Sequence, residues 1–133
     1  MLGRALLTLD AIGLLVGAWI ADWGVTHQFN PRWPPHAKFH NAQTIGLSTV
    51  LGAATMFLTW RSLIMKTSRQ LDRWSIQMAA FTGSIYWLTG LAAIYFPNTD
   101  GLDPEFGGPG FPQRPIFLTL AALAFAGSFL ELC

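Results

Sequence analysis

Four apolar stretches, at residues 5–21, 42–60, 74–96 and 116–130, set the terms on which this chain can fold. A helix that crosses the hydrocarbon core of a bilayer needs about 20 mostly apolar residues. The third stretch meets that length directly, and the second meets it if its helix begins near Pro35. The first extends through Gly24 and the fourth to the C-terminus. Charged residues are 11% of the 133, against roughly 25% in an ordinary soluble domain, too few to cover a water-facing surface. The reading is an all-α, integral membrane four-helix bundle forming one domain, with helices at about 5–24, 35–60, 74–96 and 115–131. The lipid bilayer is the expected partner, and a net charge of +1 gives no case for nucleic acid. The single cysteine, Cys133, excludes an internal disulfide.

The ends of these segments carry boundary signals. Arg4 and a following apolar run suggest a signal peptide, but Asp10 interrupts the run and no small-x-small cleavage site follows, so the segment reads as a retained helix. Pro35 and Pro115 can open helices, because early helical N–H groups have no intrahelical partner. Asp72 is the expected N-cap of the third helix, and Pro97 its stop. Arg4, Arg61, Lys66, Arg69 and Arg73 fall on one side of a four-span topology; Arg32, Lys38 and Arg114 fall on the other. The excess of positive charge puts both termini in the cytoplasm. Trp60 and Trp74 flank one membrane face, and Trp23 and Trp33 the other, as interfacial belts do.

The polar residues concentrate in one stretch, ADWGVTHQFNPRWPPHAKFHNAQ, which holds Asp22 and all three histidines. If Pro35 opens a helix, His36 and His40 lie about 40° apart on one face. Gln43 and Thr44 continue that polar stripe, while Asn41 points away from it. The short link forces Asp22 and His27 to the same end as the stripe. One chemistry is metal binding: His36 and His40 both reach one zinc, iron or copper ion, with Asp22 or His27 completing the set. The other is metal-free proton transfer, with Asp22 orienting a histidine as general acid or base at the edge of an apolar pocket. A third reading makes the same groups a hydrogen-bond network that caps the first two helices.

Asp10 lies inside the first helix, where an ionisable residue faces the bundle interior, and an ion pair with Arg4, Lys66, Arg69 or Arg73 is expected. Gly13 and Gly17 form a GxxxG pair suited to close helix contact, and Gly83 and Gly90 share a face of the third helix. Tyr86 and Trp87 lie in the outer half of that helix, at the depth where they can bind a substrate. The Gly/Pro-rich segment 97–115 reads as a surface loop, with a lid over the outer end as its rival.

The ADW, TH and NPRWPPHAKFH strings resemble a family of small four-helix membrane proteins of fungi and bacteria. The likeness is close over the first two helices. More distantly, the layout is similar to DoxX-like bundles and to membrane sterol isomerases and cyclases. Those relatives imply a small hydrophobic substrate between the helices, and Asp22, His27, His36 and His40 as working groups. The acetyltransferase label sometimes given to the family finds no acyl-coenzyme A phosphate site here. The expected function is a membrane enzyme that isomerises, cyclises or oxidises a lipophilic small molecule. The alternatives are a non-catalytic lipid-binding subunit of a larger membrane complex, a homo-oligomer included, or a metal-dependent oxidoreductase using the HxxxH pair. The membrane is the plasma membrane in a bacterium and the endoplasmic reticulum in a fungus.

Overall fold

The computed structural model describes residues 1–133. Its order is α1 (Leu2–Asp22), α2 (Pro35–Met65), α3 (Arg69–Ala93), a single 3-10 turn at Pro104–Phe106, and α4 (Arg114–Leu132). There are no strands. Each helix packs on its neighbours in a ring, and α1 also touches α3 across the diagonal. Pro35 is the first residue of α2, in the position that suits its missing N–H. The third helix begins earlier than expected: the Ser68 side chain caps it by accepting from Leu71 N, and Asp72 lies in its first turn.

The distribution of side chains is the reverse of a water-soluble bundle. Ten of the 25 buried residues are polar or charged, while 28 large hydrophobic side chains are exposed. Such an exterior is stable only against a solvent as apolar as itself. α1, α2 and α4 are each long and apolar enough to cross a membrane. This corrects the expectation that the third stretch meets the requirement most directly. α3 has 25 residues, but Ser75, Gln77, Thr82, Ser84 and Thr89 dilute its apolarity. α2, at 31 residues, is about 46 Å long and exceeds a hydrocarbon core of about 30 Å. Its ends therefore stand clear of the core.

The interior is built from small residues at steps of three and four. α1 buries Arg4, Leu7, Ala11, Leu14 and Ala18; α2 buries Asn41, Ile45, Ser48, Gly52, Thr55 and Thr59. That spacing keeps one seam facing the neighbour along the whole helix. A Cβ on Gly52 would sit 2.9 Å from Leu15 N and 3.0 Å from Ala11 O, so glycine lets α2 lie directly on the α1 backbone. Hydroxyls within this seam are satisfied locally or across it: Ser48 donates to Leu14 O at 2.6 Å, and Thr55 pairs with Thr82 at 2.8 Å.

Arg4 ties the inner end together. Its side chain is 7% exposed and reaches all three other helices: the Thr59 carbonyl on α2, both Asp72 oxygens on α3 at 2.7 and 2.8 Å, and Glu131 on α4 at 3.4 Å. Burial pushes the Asp72 carboxyl up, but hydrogen bonds from Arg4 and Ser62 and the Arg4 charge outweigh it and hold the group below its ordinary range.

Asp10 is not an ion-pair partner, contrary to expectation. It is 0% exposed, six residues deeper than Arg4, and accepts from Trp87 Nε1 at 2.7 Å through Oδ1. Oδ2 has no partner. The basic groups assigned to it all lie at the inner end, where Arg4 is already engaged. Gly13 and Gly17 likewise do something other than bring two backbones together. A Cβ on Gly13 would press on the Leu120 methyls of α4 at 3.0 and 3.2 Å, so this glycine admits a side chain, and one on Gly17 would make only ordinary contact with the Trp87 ring at 3.9 Å. Gly83, opposite, leaves room for the Asp10 carboxyl.

Two outcomes follow for the detergent-purified protein. Arg4→Ala, which strands Asp72 and leaves Glu131 only the Met1 ammonium and the backbone N–H of residue 4, is expected to cost about 3 kcal/mol, whereas Arg73→Ala at the exposed surface changes the melting temperature little. Because the folded Asp72 value lies below its unfolded one, its stabilisation is complete above the unfolded value and disappears as pH falls through the folded one. The wild type should thus lose an acid-sensitive increment below about pH 4 that Asp72→Asn lacks. Separately, Gly83→Ala should destabilise by about 1–2 kcal/mol by crowding Asp10, and Gly46→Ala, which faces open space, should not.

Candidate functional site

The outer end is organised by the link at residues 23–34, which folds back as consecutive turns. Gln28 N donates to Asp22 O at 3.1 Å, Phe29 N to Gly24 O at 2.9 Å, and Asn30 N to His27 O at 3.0 Å. These bonds curl the link over the end of α1 and bring His27 back toward the last residue of that helix. Asp22 Oδ1 lies 3.8 Å from His27 Nε2, with the two side chains 17% and 33% exposed. The other ring nitrogen, Nδ1, is 2.9 Å from Thr26 Oγ1. Carboxylate, imidazole and hydroxyl therefore stand in a row. Trp33 meets the His27 ring edge-on, with centroids 5.1 Å apart, and limits its rotation.

α2 supplies the facing wall. Asn41, 6% exposed, donates to Asp22 O at 3.3 Å and to Gln28 Oε1 at 3.0 Å. It pins the link to α2 from beside the polar stripe, on the side that faces α1. Asp22, His27, Trp33, Ala37, His40, Asn41 and Thr44 together line an open cleft of about 360 Å³. Of the stripe, His40 and Thr44 reach this cleft; His36 and Gln43 lie beside it and bear on His40.

The stripe has its own hydrogen-bond order. His40 Nδ1 is 3.3 Å from Gln43 Oε1, an acceptor, so Nδ1 carries the proton in this arrangement. His40 Nε2 then accepts from His36 Nε2, 3.1 Å away. Two Nε2 atoms at that separation are also close to the spacing of two ligands on one tetrahedral ion. No set of three His, Cys, Asp or Glu side chains is gathered for a common ion in this arrangement. His36 and His40 both remain exposed.

The two aromatic residues assigned to substrate binding pack edge-to-face on each other, with centroids 4.9 Å apart, and neither lines the cleft. Tyr86 is partly buried and lies near the Ser48 hydroxyl and within the field of Asp22. Trp87 is 3% exposed, packed on Leu14 and Ala121 and bonded to Asp10. Its place is in the core of the bundle, not in the cleft wall.

Three residues that sequence reasoning passed over matter here. Thr26 completes the row through His27. Asn41 holds the link. Asn30, 1% exposed, donates to Glu105 Oε1 at 2.9 Å, and Arg32 pairs with the same carboxylate. That latch fastens segment 97–113 to the link. The segment is also closed on itself, since Asp100 accepts from the Gly101 and Gly110 amides and Gln113 donates to Gly101 O. Asn41 was visible as a buried-face residue by its step of four from Ile45; the latch depends on the course of a long loop and had no local signal.

Asn41→Ala should free the link without unfolding the bundle. Hydrogen exchange at residues 24–33 is expected to accelerate by about tenfold while α1 and α3 amides keep their protection.

The model of a family of unknown function, DUF6640, matches residues 6–132. No curated protein and no solved structure matches the chain, and nothing links it to the DoxX-like or sterol isomerase bundles. The chain belongs to DUF6640.

Proposed function

We propose that this member of DUF6640 is a membrane-embedded enzyme that moves a proton on a lipophilic small molecule, with Asp22 and His27 as its acid–base pair. The observation that carries the reading is the half-buried Asp22–His27 contact at the wall of the cleft. A carboxylate beside an imidazole orients it and stabilises its protonated form, which is the role such a pair serves in general acid–base catalysis. His40 and Thr44 face the pair across the cleft and offer a second nitrogen and a hydroxyl to a bound polar group. Exposed Trp23, Val25, Phe29 and Phe39 surround the outer end and favour entry of an apolar molecule from the lipid side. Isomerisation and cyclisation need only proton movement; oxidation would in addition use a metal at His36 and His40 or an external acceptor.

In this reading all four helices cross the bilayer. α3 crosses with Ser75, Thr82 and Ser84 turned into the bundle, and both termini lie on the cytoplasmic side with the basic α2–α3 link. In sealed vesicles, a membrane-impermeant maleimide should reach Cys133 and an introduced Lys66→Cys from one face and Val25→Cys from the other. Labelling of all three from the same face would end the four-span topology.

The activity test compares lipid extracts of cells producing wild type, Asp22→Asn or His27→Ala by mass spectrometry, at matched levels of folded protein. A lipophilic species that changes with wild type should return to its starting level in both variants, since loss of a general acid or base removes about 10²–10⁴-fold in rate. Extracts that shift equally with all three proteins would refute the assignment. A species that tracks bound metal and disappears only in His36→Ala/His40→Ala would support the oxidoreductase instead.

A further inference from the structure

The inner end of the bundle carries positive charge that no protein group answers. Arg61, Lys66, Arg69 and Arg73 lie between the last turns of α2 and the first of α3. The two side-chain carboxylates at this end, Asp72 and Glu131, are taken by Arg4 and, for Glu131, by the Met1 ammonium as well. Arg73 donates to the Leu132 carbonyl at 2.9 Å. The other three cations form no ion pair. Arg61 Nη1 makes only a long contact of 3.5 Å with Ser75 Oγ, and its buried Nε has no acceptor at all. The buried Thr67 hydroxyl, six residues on, also lacks a partner. Unanswered donors beside unanswered charge are the mark of a place where an anionic oxygen belongs.

The setting identifies the kind of anion. Leu63, Ile64, Met65 and Trp74 are exposed on the same stretch, so the cations stand at the rim of a lipid-facing surface. At the outer end the balance differs: three cations, Arg32, Lys38 and Arg114, stand against four carboxylates, Asp22, Asp100, Asp103 and Glu105, and Arg32 is paired. The inner end combines an excess of positive charge with buried donors that have no acceptor. A phosphate head with acyl chains fits both features, and basic pockets between membrane helices take such heads.

We propose that the α2–α3 link binds the phosphate of an anionic phospholipid, with Arg61 as the anchor between the helices and Lys66 and Arg69 as the outer cations. The acyl chains lie along Leu63, Ile64 and Trp74. This site is at the opposite end of the bundle from the Asp22–His27 cleft, and it stands whether or not the cleft is catalytic.

The test uses the full chain in nanodiscs of phosphatidylcholine alone or with phosphatidylglycerol, read by lipid retention in native mass spectrometry and by melting temperature. Wild type should retain phosphatidylglycerol over phosphatidylcholine and melt higher in its presence. Arg61→Gln should lower that retention by about fivefold, as should each of Lys66→Gln and Arg69→Gln, since one cation near an anionic surface contributes on the order of that factor. Lys66 and Arg69 are exposed, so their double variant decides the matter if Arg61→Gln fails to fold. Absence of preference in wild type, or undiminished retention in the double variant, overturns the proposal. So does equal stabilisation by inorganic phosphate in phosphatidylcholine discs, which would make the site one for a free anion.

Discussion

The guanidinium of Arg4 is the group on which the arrangement of the four helices depends. A charge taken out of water is tolerated only when its donors are met, and here no single helix can meet them. Thr59 O, Asp72 and Glu131 come from three different helices, so the guanidinium is satisfied only when α1, α2, α3 and α4 are all in register. This makes α1 the axial element of the bundle and explains why it alone reaches across the diagonal. The second polar tie, Trp87 to Asp10, repeats the logic between α1 and α3 deeper in the fold. Each tie fixes rotation as well as distance. In a membrane that matters more than in water, because lipid tails give apolar faces no reason to choose one neighbour over another.

Small residues serve this packing. Gly83 makes room for the Asp10 carboxyl, and Gly13 for the Leu120 side chain of α4. The helices could be read from the sequence because apolar length and a shortage of charge leave few alternatives. The three-and-four spacing of Leu7, Ala11, Leu14 and Ala18 was equally plain. The partner of Asp10 was not. It is set by which face of α3 crosses α1, and a glycine pair reads the same whether it admits a backbone or a side chain. α3 misled for a related reason: its length was legible, but it spends Ser75, Thr82 and Ser84 on the interior, as in the contact of Thr82 with Thr55, and leaves Gln77 and Thr89 exposed.

At the outer end the sequence located the cluster but not its pairings. The gathering of Asp22 and three histidines within one short stretch is a consequence of link length alone. Which histidine meets Asp22 is decided by the turns of residues 24–30, and these select His27 while leaving His36 and His40 to each other. A helical stripe drew attention to residues on the exposed face of α2. Asn41 lies off that stripe and so was set aside, yet it is the residue that fastens the link, because the side facing α1 is where a holding contact must be.

The carboxylates show a division of labour along the bundle. Asp72 and Glu131 share a fully placed guanidinium, and their acceptor capacity is used in holding helices together. Asp22 has His27 at 3.8 Å and a cleft beside it, so part of its capacity is left over. An ionisable group with every partner present is part of the scaffold, whereas one with a partner and an opening can respond to something that enters. The same asymmetry appears in the backbone. The inner link is three residues and is bounded by a capped helix, but the outer end consists of a curled link and a self-closed segment joined by the contacts of Glu105 with Asn30 and Arg32. Motion is cheapest where two ordered pieces meet through one small polar contact. The bundle is thus closed by Arg4 at one end, while the other end carries the cleft and the one carboxylate–imidazole pair that the packing leaves incompletely satisfied.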